Sequence, residues 1–179
     1  MAIPKNTQES LEKFAKYVVS QSRANLTRGK KNASKELWDS IGYELDVHQN
    51  SFTLKMIMED YGIFQDRGVK GVKSGKSLDN FSYKSKGGKT GLRGMPPPKA
   101  FDNWNVRRGR AGRNKKGQFL TRKQLNFVTA LNVFKFGIKP SMFFTKPFEK
   151  AFKNLPQEVV EAFGLDVTEF IKFTNDGKN

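Results

Sequence analysis

Cysteine is absent from the 179 residues and histidine occurs once, at His48. Those two absences exclude a disulfide framework, a thiolate metal site, a cysteine nucleophile and an imidazole metal cluster. No run approaches the roughly 18 apolar residues that a membrane span needs. The opening MAIPKNTQESLEKF lacks the apolar core of a signal peptide, so the expectation is a soluble chain made in the cytoplasm, with no membrane partner. Acids are scarce: seventeen against thirty-three Lys and Arg, for a net charge of +16.

The excess of cations is local. Between Arg67 and Lys123 stand seventeen Lys and Arg and two acids, Asp79 and Asp102, whereas the remaining 122 residues are nearly neutral. The same stretch holds ten of the sixteen glycines and the run Pro96-Pro97-Pro98. Such a composition predicts a mobile or extended insertion, since like charges repel and few aliphatic groups are present to form a core. The expectation is one domain spanning 1–179, with a folded body of about 7–66 and 121–175 and a basic Gly/Pro-rich insertion of about 67–120.

Apolar periodicity sits in the flanks. Leu11, Phe14, Ala15 and Val18 have helical spacing after Asn6, a candidate N-cap, and Gly29 is a natural stop. Ser34 is placed to cap a short helix with Leu37, Trp38 and Ile41, closed by Gly42. Tyr43, Leu45 and Val47, then Phe52, Leu54, Met56 and Met58, alternate with polar residues around Gln49-Asn50, the pattern of a β-hairpin. Thr121-Arg-Lys-Gln124 is a capping box ahead of Phe127, Ala130, Leu131 and Phe134, with Gly137 as terminator. Pro147 suits a first turn before Phe148, Ala151, Phe152 and Leu155, with Pro156 as its end. Val160, Phe163, Val167, Phe170 and Ile171 continue a helical stripe across Gly164. The pattern reads as α+β: a long N-terminal helix, an antiparallel hairpin packed on helices, a large basic loop insertion and extra C-terminal helices.

Candidate sites of chemistry fail on spacing. Gly71-Val-Lys-Ser-Gly75-Lys76-Ser77 has three residues between its glycines where a phosphate-binding loop needs four, and no buried strand precedes it. His48 falls on the polar phase of a strand, beside a turn. Glu44, Asp46, Glu59, Asp60 and Asp66 read as charges at the edge of the hairpin, with no lysine or histidine pattern to make a metal-dependent nuclease of Asp60 and Asp66. The reading is therefore no catalytic residue, no metal and no cofactor.

The basic segment is the candidate binding surface. Its cations and one aromatic, Lys70, Lys73, Lys76, Lys84, Lys86, Lys89, Arg93, Trp104, Arg107, Arg108, Arg110, Arg113, Lys115 and Lys116, suit either a phosphate backbone or an acidic protein face. Phe101 and Trp104 follow the prolines at i, i+3, and Asn114-Lys-Lys-Gly117 resembles a turn between Arg113 and Phe119.

Three stretches, in order, resemble one family. Ser34-Lys-Glu-Leu37-Trp-Asp-Ser40-Ile41 is similar to a short leucine/serine/isoleucine helix before a sheet. Asp60-Tyr61-Gly-Ile-Phe64-Gln-Asp66-Arg-Gly68 is similar to a tyrosine–aromatic–acid–glycine strand end. Ile138-Lys-Pro140-Ser-Met142-Phe143-Phe144-Thr-Lys-Pro147-Phe148-Glu-Lys-Ala151 is similar to the lead-in to the last shared helix. The family is the tail-completion, or head–tail joining, minor tail proteins of tailed bacteriophages. Val69 stands where that family usually has threonine, the connection from Gly68 to Pro140 is unusually long, and the chain after Pro156 is an addition. The resemblance implies a virion subunit made in the host bacterial cytoplasm and forming a homo-oligomeric ring in the neck or tail, around the DNA channel. Its implied partners are neck, portal-adaptor and tail proteins, with non-specific genomic DNA contact as a further one. Pro140, Met142, Phe143, Phe144, Pro147 and Phe148 are the expected ring interface, with Met142, Phe143 and Phe144 on an exposed ledge before the Pro147 helix. The basic arm is expected to order only in the assembled particle. The alternative is a non-enzymatic, sequence-independent nucleic-acid-binding protein.

Overall fold

The computed structural model describes residues 4–29, 31, 34–48, 51–88 and 90–176, the last seven of these by backbone alone. Among them the elements run α1 (Lys5–Arg28), α2 (Glu36–Ser40), β1 (Gly42–His48), β2 (Ser51–Ile57), α3 (Gly62–Arg67), a 3-10 turn (Pro98–Phe101), α4 (Asp102–Arg107), α5 (Arg122–Phe136), α6 (Thr145–Phe152) and α7 (Leu155–Asp176). The fold is α+β, with a long N-terminal helix and one two-stranded antiparallel sheet. Its residues group into two compact units: 1–28, 38–59 and 143–179 form the first, 29–37 and 60–142 the second.

In the first unit the expected hairpin is present, with Tyr43 opposite Met56, Leu45 opposite Leu54 and Val47 opposite Phe52. Its Gln49-Asn50 turn lies outside the described residues. Phe14, Val18 and Leu155 form the buried centre, with Leu54, Met56, Phe144, Phe148 and Val159 packed against them. Phe148 meets Phe14 edge-on at 5.6 Å and stacks on Phe144 at 5.7 Å.

Several helix ends differ from expectation. Asn6 is not the N-cap of α1, which begins at Lys5 after Pro4. The cap comes from across the unit. The Asp166 carboxylate of α7 accepts the backbone N–H of Asn6 and of Thr7, both at 2.9 Å, the Asn6 amide at 3.0 Å and the Thr7 hydroxyl at 2.7 Å. A negative side chain so placed satisfies orphan donors and opposes the positive end of the helix dipole. Burial raises the Asp166 pKa, but those hydrogen bonds outweigh it and hold the carboxyl below its ordinary value. At α2, Lys35 with φ 61° stands between Ser34 and the first helical residue. Gly42 opens β1 instead of closing a helix, and Pro156 lies in the first turn of α7 instead of ending α6.

Two apolar stripes have the expected period; that of α5 is rotated only in part, since Ala130 and Phe134 are buried as expected, and that of α7 is in the wrong phase. On α5 the buried residues are Asn126, Thr129, Ala130 and Phe134, while Phe127 is exposed. On α7, Leu155, Val159, Ala162 and Asp166 turn inward, and Val160 and Phe163 are 71% and 54% exposed. Asp166 fixes that rotation, since capping α1 requires it to face inward. Phe170 and Ile171 have no described side chains.

In the second unit α5 packs on the 3-10 turn and α4, so this helix belongs with the basic segment instead of with the hairpin. The capping box is present: Thr121 Oγ1 accepts from Gln124 N–H, and Gln124 Oε1 accepts from Thr121 N–H. Asp60–Gly68, read as a strand end, instead contains helix α3.

Candidate functional site

The basic segment is closed at its base. Val69 and Ile138 exchange backbone hydrogen bonds of 2.9 and 2.8 Å, and Ser141 and Met142 N–H donate to Asp66 O at 3.1 and 3.0 Å. Gly68 (φ 77°, ψ 168°) and Gly137 (φ 78°, ψ −165°) flank this bridge in a backbone region that only glycine enters freely. A Cβ on Gly68 would lie 2.6 Å from the Pro140 ring, and one on Gly137 1.9 Å from Val69 O.

The Gly/Lys loop that imitates a phosphate cradle has another job. Val72 N–H donates to Phe134 O at 3.0 Å, and Lys73 and Ser74 N–H donate to Lys135 O at 3.0 and 3.2 Å. These amides satisfy the last carbonyls of α5 and are consumed by them. Lys70, Lys73 and Lys76 therefore gather near the negative end of the α5 dipole, all three exposed.

Farther along, a buried polar network fixes α4 on α5. Asn105 Nδ2 donates to Asn126 Oδ1 at 2.8 Å and to Thr129 Oγ1 at 3.3 Å, while the Thr129 hydroxyl donates to Leu125 O at 2.9 Å. Asn126 Nδ2 donates to Asp102 Oδ1 at 2.7 Å. Arg122 grips the same carboxylate with Nε and Nη2. The Arg122 contacts, then the Asn126 bond, hold the Asp102 carboxyl below its ordinary pKa. Asp79, the other acid of the segment, lies 3.8 Å from Arg67. Both acids are thus engaged.

On this frame the cations are displayed outward. The Arg110 guanidinium lies 4.0 Å from the Trp104 ring centre and that of Arg108 at 5.6 Å. The chain turns back at Gly109, with Arg110 N–H donating to Asn105 O at 3.0 Å. Trp104 therefore serves as a platform for guanidinium groups, and the ring face under Arg110 is covered against a base. Arg113 sits 4.0 Å over Phe119 and donates to Gly117 O at 2.9 Å. The expected turn is there: Asn114 Oδ1 accepts from Lys116 and Gln118 N–H at 2.9 and 3.0 Å. Lys84, Lys86, Arg93, Arg107, Lys115 and Lys116 are exposed, and Lys89 lies outside the described residues. Lys31, absent from the expected set, joins the group. Burial, followed by the charge of Arg108, lowers its pKa.

The expected ring ledge is not a ledge. Phe143 is 1% exposed and Pro147 is buried, while Phe144 and Phe148 pack against the Phe14 cluster. Pro140 is half-buried at the base of the basic segment, and Met142 is half-buried with φ 50°. Phe143 and Pro147 are core residues, because an alternating Pro/Phe lead-in to a helix suits a core as well as it suits an interface. What sequence reasoning missed was the Asn105–Asn126–Thr129 network. Its signal was available as two polar residues at i, i+3, Asn126 and Thr129, along the edge of the apolar stripe of α5.

Among the described residues no group of three or more His, Asp and Glu is placed to hold a metal ion, and no helix is long and apolar enough to cross a membrane. The chain matches no protein-family model, no curated protein and no solved structure.

Proposed function

We propose that the chain is a structural virion protein of a tailed bacteriophage, a subunit of a homo-oligomeric ring in the neck or tail around the DNA channel. One observation carries the reading. The two stretches that bear much of the family resemblance, Asp60–Gly68 and the lead-in from Ile138, are about seventy residues apart, yet they meet through the Val69–Ile138 bridge and the Ser141 and Met142 bonds to Asp66. A family core interrupted by an insertion has to be closed in this way at the base of the insertion. The reading assigns no catalytic step and no cofactor. Its partners are copies of itself and the adjoining neck, portal-adaptor and tail proteins, whose acidic faces the outward cations suit.

The test is assembly. The purified chain is examined by sedimentation and electron microscopy, and virions are probed for it. Rings with an open channel, or the chain at fixed copy number in particles, support the reading. A chain absent from particles and monomeric at all concentrations contradicts it. A second reading, a sequence-independent nucleic-acid binder, draws on the Trp104–Arg108–Arg110 arrangement, which presents planar guanidinium groups suited to phosphates.

A further inference from the structure

The first unit carries two unmatched surfaces whose chemistry is complementary. One is an open groove of about 740 Å³ on α1, walled by Trp38 and Tyr43. Its floor is formed by Ser20 and Ala24, small exposed residues one turn apart, on the side of α1 opposite Phe14 and Val18. Arg23 and Arg28 give it positive charge. Arg23 is held in place by its Nη2–H bond to Ile41 O at 2.9 Å and by the Trp38 ring at 4.6 Å. Lys16 at the rim is paired with Glu12 at 3.0 Å.

The other surface is the outer stripe of α7: Val160, Phe163 and Val167, at i, i+3 and i+7 with Gly164 between, all exposed. Apolar side chains in a row at that spacing form a helix face that none of the described residues covers. From Leu155 to Glu169 the helix has four acids and no base. Asp166 is committed to capping α1, so Glu158, Glu161 and Glu169 remain as exposed charges.

We infer that α7 of one copy docks in the α1 groove of the next, as an amphipathic helix in a groove. Small residues on the groove floor let a helix approach closely, Trp38 and Tyr43 receive Phe163, and the acids of α7 match the arginines of the groove. The occupant has to come from another copy. In its own chain α7 packs on the other side of α1, tied there by Asp166, and cannot reach the groove without leaving its place. Groove and stripe are different patches, so the contact is heterologous: it closes a ring or runs on as a filament. The inference rests on the ring reading and supplies the interface that the buried Phe143 and Pro147 cannot.

The test uses two full-length variants, each changed at an exposed position. Ala24→Arg fills the groove and Phe163→Glu charges the stripe; unchanged unfolding midpoints verify that both fold. Each alone should self-associate on the order of thirtyfold more weakly than the parent, the effect of losing one interface hot spot. Mixed, they should form a one-to-one complex that grows no further, because one intact groove and one intact stripe remain. A mixture that stays monomeric overturns the groove-to-stripe contact. Variants that assemble like the parent also overturn it and leave the ring to another surface. A parent that never self-associates overturns the docking too, and the virion reading then stands or falls on detection of the chain in particles.

Discussion

At the scale of single residues, Gly68 and Phe143 give the sharpest expectations. Gly68 has a backbone conformation open to glycine alone, and Pro140 occupies the space a side chain would take. Gly68→Ala should cost about 2–4 kcal/mol through strain and overlap, read as a lower denaturant midpoint with little change of slope. Phe143 has its ring buried, and its carbonyl accepts the Asn25 amide at 3.1 Å. Phe143→Ala should lower stability by about 3–5 kcal/mol. A variant of full stability that failed only to assemble would restore Phe143 to an interface.

At the scale of elements, the Asp166 cap joins the two longest helices. Asp166→Asn removes the charge and one acceptor from four bonds at the α1 N-terminus. The expected loss is about 1–2 kcal/mol near neutral pH. The folded carboxyl titrates below its ordinary value near 3.8. Its contribution is therefore complete above that value and is lost as pH falls through the folded pKa. Urea midpoints of parent and variant should differ at pH 7 and converge in acid. A constant gap across that range would show that charge plays no part. The same cap sets the phase of α7, and that is why the Val160, Phe163, Val167 stripe faces solvent although its spacing suits a core.

At the scale of the whole molecule, salt dependence separates the partners proposed for the basic segment. If DNA is among them, duplex binding should be independent of sequence and fall by roughly 10³–10⁵ between about 50 and 200 mM salt when six to ten phosphates are touched. Replacing Arg107, Arg108, Arg110 and Arg113 by alanine should flatten that salt dependence by about 3–4 in log–log slope. Trp104 makes a finer distinction. Since Arg110 covers a face of its ring, Trp104→Ala should weaken duplex and single-strand binding alike, through loss of guanidinium positioning. A loss confined to single strands would identify base stacking instead. If neither the parent nor the variant lacking the four arginines binds DNA, and the variant fails to join particles, the segment serves a protein joint.

The α+β class, the hairpin, the α5 capping box, the Arg113–Phe119 turn and the concentration of cations in one segment were legible in the amino-acid sequence. Each rests on local spacing or local charge, which act within a few residues. Tertiary structure decided the phases of α5 and α7. An apolar stripe broad enough to point two ways is oriented by the partner it meets, Asn105 for the first and the α1 N-terminus for the second. It also decided that Phe143 and Pro147 lie in the core and that the Gly71–Ser77 loop caps a helix, since burial and the destination of backbone N–H groups depend on chain segments dozens of residues away. The same holds for the groove on α1. Trp38 and Tyr43 face Ala24 only once the chain has turned back on itself, and no spacing in the sequence records that turn.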